Sequence, residues 1–303
     1  MTLRIGTRAS ALAMAQTGQV ADRLTRESGE TVELVKVTTA GDRSTASLAS
    51  LGGTGVFAAA LREALLAGEC DIVVHSLKDL PTAPLPGLVV AATPKRADAR
   101  DALCARGGFT LETLPVGARV GTGSPRRRAQ LLSRRPDLET LDIRGNVDTR
   151  LGRVSSGDLD AVVLAAAGLE RLGRLDAATQ LLELSEWPTA PGQGALALEV
   201  RAGEEQLVAA LDHPATRLIV ETERGVLARL EAGCAAPVGV TAMLDGGLLF
   251  ASARVYSLDG SGVLTSSHAL YPADSPEPAE ELARRIADEL LAAGAAEFAP
   301  LGG

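Results

Sequence analysis

At 303 residues, 46% of them hydrophobic and 22% charged, the chain is too long for one ordinary domain and rich enough in apolar residues for two or three compact ones. A net charge of −8 argues against a broad nucleic-acid-binding face, and 2% aromatics against a base-stacking platform. Any anion site must therefore be a local arginine cluster in an acidic protein. Lys36, Lys78 and Lys95 are the only lysines, so 27 of the 30 cations are Arg, a bias that a GC-rich genome would also produce.

The amino terminus enters a strand pattern at once, over residues 3–6, with no basic-then-apolar signal segment. A helix is expected over about 10–27, a strand over 32–38, a helix over 56–67 and a short buried strand, Ile72-Val73-Val74, within 71–75. The rhythm restarts with a strand over 116–121, a helix over 125–133, a strand over 139–143, a helix over 147–154 and a strand over 161–164. Such βαβ alternation predicts parallel or mixed sheets with helices on both faces. Two similar units, joined near 93–98 and again near 187–191, would leave a cleft, and ligands bind such sheets outside the strands' carboxyl ends.

The last third changes character. A long amphipathic helix is expected over 214–231, stopped at Gly233, followed by antiparallel strands within 238–271 that turn at Asp245-Gly246-Gly247. A final helix is expected to start at Ser275-Pro276, with Leu282, Ile286 and Leu290 on its apolar face. The apolar runs are too short to span a bilayer, and the location expected is cytoplasmic. Cys70, Cys104 and Cys234 are too few and too scattered for a disulfide framework or a zinc site.

Candidate chemistry sits where strands end. Arg8 projects from the loop between the first strand and a helix that Ser10 can cap; alone, this reads as an ordinary capped turn. In His75-Ser76-Leu77-Lys78-Asp79-Leu80-Pro81 a carboxylate stands at the end of a buried strand. Burial there would raise its pKa and neighbouring cations would lower it, which suits an acid/base group, but a turn aspartate fits equally well. Gly121-Thr122-Gly123-Ser124-Pro125-Arg126-Arg127-Arg128 is the strongest anion signal: a tight turn, a Ser cap, Pro at the first helical position and arginines able to grip carboxylates in bidentate fashion. Ile143-Arg144-Gly145-Asn146-Val147-Asp148-Thr149-Arg150 repeats the arrangement, and Arg171 could extend the same wall. Cys234 follows a helix carboxyl end with Gly233 in the stop position; from spacing alone it reads as structural.

Taken together and in this order, the segments 4–10, 74–81, 121–127, 143–151, 165–173, 191–195 and 230–239 resemble the porphobilinogen deaminase family from end to end. The resemblance implies an α/β fold of two periplasmic-binding-protein-like domains flanking a cleft, 1–94 with about 190–210 and 98–188. A small carboxyl-terminal α+β domain, 213–303, would carry the cofactor cysteine. It implies a transferase that condenses four porphobilinogen molecules into linear hydroxymethylbilane with release of ammonia, primed by a dipyrromethane bound through a thioether to Cys234. By the same resemblance, Lys78, Asp79, Thr122, Ser124, Arg126, Arg127, Arg144 and Arg150 would hold that cofactor. Arg8, Ser10, Arg171 and Gln193 would hold substrate. Asp79 would be the catalytic residue, assisting ammonia departure and stabilising positive pyrrole nitrogens of an azafulvene intermediate. A monomer that hands its product to a uroporphyrinogen III synthase is expected, with no metal, nucleic acid or membrane partner.

One departure stands out. Family members often carry Lys in a Gly-Gly-Lys-Gly loop, whereas this chain has Gly52-Gly53-Thr54-Gly55 in the polar 40–55 segment, which reads as a lid. Two other readings stay open: a solute-binding or sensory module, which would need the arginines but not Cys234 or Asp79, and a family member that has lost activity.

Overall fold

The computed structural model describes residues 2–37, 55–233 and 236–301. Thr54, with most of the segment read as a lid, and Cys234 lie outside them. The first stretch forms β1 (Thr2–Thr7), α1 (Ala11–Ser28), β2 (Thr31–Lys36), α2 (Gly55–Leu66), β3 (Ile72–Ser76) and β4 (Leu88–Ala92). Then come β5 (Asp101–Ala105), β6 (Arg119–Gly121), α3 (Pro125–Arg134), β7 (Glu139–Leu141), α4 (Val147–Ser155), β8 (Ala161–Ala165), α5 (Ala166–Arg171) and β9 (Gln180–Leu182). The remainder gives β10 (Leu196–Arg201), α6 (Pro214–Arg229), β11 (Val238–Asp245), β12 (Leu248–Tyr256), β13 (Val263–Leu270), α7 (Pro278–Ala292) and α8 (Ala295–Phe298). None of the described helices is long and apolar enough to cross a membrane.

The chain divides into two compact units, 1–97 with 194–220, and 98–193 with 221–303. The first holds a five-stranded sheet in the order β2-β1-β3-β10-β4, in which β1 runs parallel to β2 and β3, and β10 runs antiparallel to both of its neighbours. The second repeats the scheme as β7-β6-β8-β5-β9, with β5 as the antiparallel member. Periodicity did not reveal β4, β5, β9 or β10. The strands β5 and β10 are buried along nearly their whole length and show no alternation.

Side-chain packing explains the sheets. Leu3, Ile5, Ile72, Val74, Leu198 and Val200 build one core with Val20 and Leu24 of α1. In the second unit, Val120, Ala161, Val163 and Leu131 pack with Trp187 on one sheet face, while Ile143, Leu159, Val162 and Leu164 fill the other. The same unit carries a three-stranded antiparallel sheet, β11-β12-β13, covered by α7, whose Leu282, Ile286 and Leu290 are buried as expected. Its hairpin turns at Gly246 and Gly247, both at positive φ (54° and 81°).

Two elements start more than one residue from the sequence expectation. The strand read over 116–121 begins only at Arg119, because Pro115 and Gly117 make a turn that leaves Val116 exposed. The last helix starts at Pro278, not Pro276; both prolines suit a first turn, and the chain uses the second.

Candidate active site

In the first unit, β1 and β3 are parallel neighbours, so the loops leaving their carboxyl ends lie side by side. The β1 loop carries Arg8 and ends at Ser10, whose hydroxyl accepts the Ala13 N–H at 3.3 Å and caps α1. The β3 loop is a single 3-10 turn, Leu77–Asp79, anchored where the Leu77 N–H donates to the Ala195 carbonyl at 3.0 Å. Two side-chain ties, one part-buried and one buried, hold the loops in place. Gln16 Nε2 donates to Ser76 Oγ at 2.8 Å, and Thr17 Oγ1 donates to Thr7 Oγ1 at 2.8 Å. Lys78 and Asp79 are half-buried, and no hydrogen bond or ion pair among the described residues engages the Asp79 carboxylate.

Behind this turn lies a charged group that sequence reasoning missed. Glu199 of β10 accepts Arg62 Nε (3.0 and 3.1 Å) and Nη2 (2.8 Å), and its Oε2 lies 3.2 Å from His75 Nε2. Burial works to raise the Glu199 pKa, but His75 and Arg62 outweigh it and hold the carboxyl below the usual range.

In the second unit, β6, β7 and β8 are parallel neighbours, and their carboxyl ends gather the other predicted residues. After β6, Thr122 Oγ1 accepts the Ser124 N–H at 3.2 Å and Ser124 Oγ accepts the Arg127 N–H at 3.4 Å. Each hydroxyl thus serves as an acceptor and keeps its O–H to donate to an anion. Gly123 is required by close approach, since a Cβ there would lie 2.7 Å from the Ile143 carbonyl oxygen. That contact locks the β6 loop against the β7 loop, which bears Arg144. Asn146 Oδ1 caps α4 by accepting the Thr149 N–H at 2.9 Å, and Arg150 Nε donates to the Gly145 carbonyl at 2.8 Å.

Arg127, Arg144 and Arg150 lie close enough to act on one another. Burial, followed by the like charges of Arg127 and Arg144, pushes the Arg150 pKa down, with Asp142 opposing. Arg171 is likewise lowered by burial, against Glu170. Arg126 and Arg127 are 3% and 7% exposed, and the Nε atom of each is buried without a hydrogen-bond partner among the described residues. A desolvated cationic cluster with unsatisfied donors fits a polycarboxylate ligand.

Two of the predicted residues are engaged within the unit. Arg126 does not present its guanidinium outward. Nη1 donates to Gln130 Oε1 (2.5 Å) and the Pro188 carbonyl (3.0 Å), and Nη2 to Asp101 Oδ2 (2.9 Å). Gln193, expected at substrate, is wholly buried. Its Nε2 donates to Asp101 Oδ1 (2.8 Å) and the Ala99 carbonyl (2.8 Å), and its Oε1 accepts Arg127 Nη2 at 3.4 Å. Apart from Arg126 Nε, the side-chain polar atoms of both already hold partners within the unit. Their shared partner, Asp101, was not read from the sequence at all. One aspartate opening an apolar run among 38 acidic residues gives no signal.

Comparison with known proteins places this geometry. Residues 3–209 match the family model described as porphobilinogen deaminase, dipyromethane cofactor binding domain, and residues 217–292 match porphobilinogen deaminase, C-terminal domain. A porphobilinogen deaminase of Leifsonia xyli subsp. xyli is 63% identical, covering 99% of this chain and 95% of its own length. Porphobilinogen deaminase 1 of Streptomyces coelicolor is 54% identical, covering 97% and 96%. Among solved structures, a periplasmic substrate-binding protein of an ABC transporter from Coxiella burnetii aligns at a TM-score of 0.45 and 16% identity, over 71% of this chain and 93% of that one. With two family models spanning nearly all of its length and relatives this similar over their whole length, the chain belongs to the porphobilinogen deaminase family.

Proposed function

We propose that the chain is a hydroxymethylbilane synthase, a transferase of tetrapyrrole biosynthesis that joins four porphobilinogen molecules into linear hydroxymethylbilane and releases ammonia. The observation that carries this reading within the fold is the gathering of Arg127, Arg144 and Arg150 at one sheet end, with buried guanidinium donors left unsatisfied. Each pyrrole unit bears an acetate and a propionate, so the growing product accumulates the charge that such a cluster is built to take.

The dipyrromethane cofactor, joined through a thioether to Cys234, would supply the pyrrole carbon from which the chain grows. Arg127, Arg144 and Arg150 bind its carboxylates, Thr122 and Ser124 donate their free O–H groups, and Lys78 meets a further carboxylate. Arg126 supports this wall from behind, as does Gln193. Arg8, Ser10 and Arg171 hold the acetate and propionate of the incoming porphobilinogen. Asp79, with no internal partner among the described residues, faces the cation that develops on the substrate pyrrole nitrogen as ammonia departs. A fixed carboxylate at that point stabilises the transition state more than the ground state, which is what lowers a barrier. The enzyme works as a cytoplasmic monomer and passes its product to a uroporphyrinogen III synthase.

Intact mass and turnover test the reading together. The denatured wild-type chain should weigh two condensed pyrrole units more than its sequence, and Cys234→Ser should not. Asp79→Asn should fold and carry the extra mass, yet lose at least ~100-fold in turnover. A wild-type chain that stays bare after porphobilinogen is added, or a fully active Asp79→Asn, would refute it.

A further inference from the structure

One charged group in the second unit has no part in the reaction as described, yet four side-chain donors converge on it. Asp101 is fully buried at the start of β5. Its Oδ1 accepts Arg127 Nη2 (2.6 Å) and Gln193 Nε2 (2.8 Å), and its Oδ2 accepts Arg126 Nη2 (2.9 Å) and the indole Nε1–H of Trp187 (2.9 Å). We propose that Asp101 is the positioning residue of the arginine wall, fixing Arg127 beside Arg150 so that the cluster is preformed for the carboxylates of a bound oligopyrrole. The proposal rests on the function proposed above.

The geometry carries it as follows. Arg127 is held at both ends of its guanidinium, Nη2 on Asp101 and Nη1 on the Val163 carbonyl of β8 at 3.1 Å. A planar fork gripped at two points cannot turn. Arg126 is gripped in the same way between Asp101 and Pro188, and it shares Gln130 with the Tyr256 hydroxyl. Burial works to raise the Asp101 pKa, but Arg127 and Arg126 overcome it and keep the carboxyl ionised. Its four donors saturate the lone pairs of both oxygens, so Asp101 has no capacity left for a ligand.

A carboxylate here has the same sign as the ligand, and that makes the idea testable by direction. If Asp101 only balanced charge, removing it would leave the arginines more positive and tighten anion binding. If it positions them, removing it weakens anion binding although the cluster becomes more cationic. Trp187 is the sole tryptophan, so its fluorescence reports directly on this network.

The experiment uses the full chain carrying Cys234→Ser, which keeps cofactor off the arginines, as the reference and with Asp101→Asn or Trp187→Phe added. Benzene-1,2,4,5-tetracarboxylate is the probe anion, titrated by calorimetry at low salt. Asp101→Asn should bind the probe at least tenfold more weakly and shift the Trp187 emission. Trp187→Phe, which removes one donor from Asp101 without changing any charge, should fall between the two. Equal or tighter binding by Asp101→Asn overturns the proposal, as does a reference chain that does not bind the probe. Should Asp101→Asn fail to fold, reference affinity in Trp187→Phe overturns it and weakened affinity supports it. Loading of Cys234 by porphobilinogen is read separately, by mass, on the chain that keeps Cys234. If loading fails there while probe binding depends on Asp101, the functional reading falls and the positioning role stands.

Discussion

Substituting Gly123 by alanine would test whether the two arginine-bearing loops of the second unit act as one rigid piece. The added Cβ would lie 2.7 Å from the Ile143 carbonyl oxygen and 3.3 Å from Asp142 Oδ1, about 0.7 Å inside ordinary contact with the first. Because the first neighbour is backbone, relief requires the β6 loop and the β7 loop to separate. Overpacking of this kind costs ~1–3 kcal/mol, which for a unit of this size is a fall in Tm of roughly 3–10 °C. Arg127 follows Gly123 on one loop and Arg144 follows Ile143 on the other, so the same displacement spreads the cationic cluster. Misplacement on the scale of 1 Å costs on the order of 100-fold in rate, so kcat/KM for porphobilinogen should drop ~10–100-fold. Gly152 is the control. It lies within α4 with nothing within 4 Å of a built Cβ, and Gly152→Ala should gain ~0.5–1 kcal/mol with activity unchanged. Calorimetric unfolding and steady-state kinetics on the pair decide the matter. Wild-type Tm and kcat/KM in Gly123→Ala would refute the idea that this contact sets the spacing of the arginines.

Two further outcomes follow from buried titratable groups. Glu199→Gln leaves Arg62 buried without its counter-charge and should cost ~3–5 kcal/mol at pH 7. Since the folded Glu199 pKa is depressed, its contribution is complete above the unfolded value of about 4.3 and is lost as pH falls through the folded value. Urea titrations should therefore show wild type and Glu199→Gln converging below pH ~4, and a gap that does not change with pH would contradict the ion-pair account. Burial pushes the Cys104 thiol up to about 12 and also raises Cys70, so neither should react with maleimide in the native state near neutral pH. Rapid native labelling of either, located by peptide mapping, would show that the β5 or β3 region opens.

Much of the fold was legible because its parallel strands are short apolar runs bounded by caps and turns. Ser10, Ser124 and Asn146 were readable as helix caps and all three accept the N–H they should. The hairpin at Gly246-Gly247 was equally plain. The antiparallel insertions β5 and β10 were not. A strand buried on both faces has no period, and its partners are remote in sequence, Ala161–Ala165 for β5 and Ile72–Ser76 for β10. The site shows the same division. Arg144 and Asp79 could be placed at strand ends, and Arg150 one turn into a helix, from local patterns. What each arginine does could not, because Arg126 and Arg127 are adjacent in sequence and alike in chemistry. Only the long-range pairings separate them, Arg126 on Asp101 and Pro188, Arg127 on Asp101 and Val163 and beside Arg150.

The abundance of arginine, which composition alone leaves ambiguous, has a physical reason at these positions. A site for a growing polyanion must stay cationic while partly dry, and those demands conflict. Burial drives a cation toward its neutral form, and neighbouring like charges add to the effect, as Arg127 and Arg144 do at Arg150. A lysine in such a place starts lower and would be pushed further toward its neutral form, which has no charge to bind the ligand. A guanidinium starts so high that the same downward pressure leaves it charged. It also has donors enough to hold the protein with one edge and a carboxylate with another, as the Nη atoms of Arg127 do on Asp101 and Val163 while its Nε stays unfilled. Arginine in the dry cluster is therefore the choice that the chemistry of a carboxylate-laden product requires.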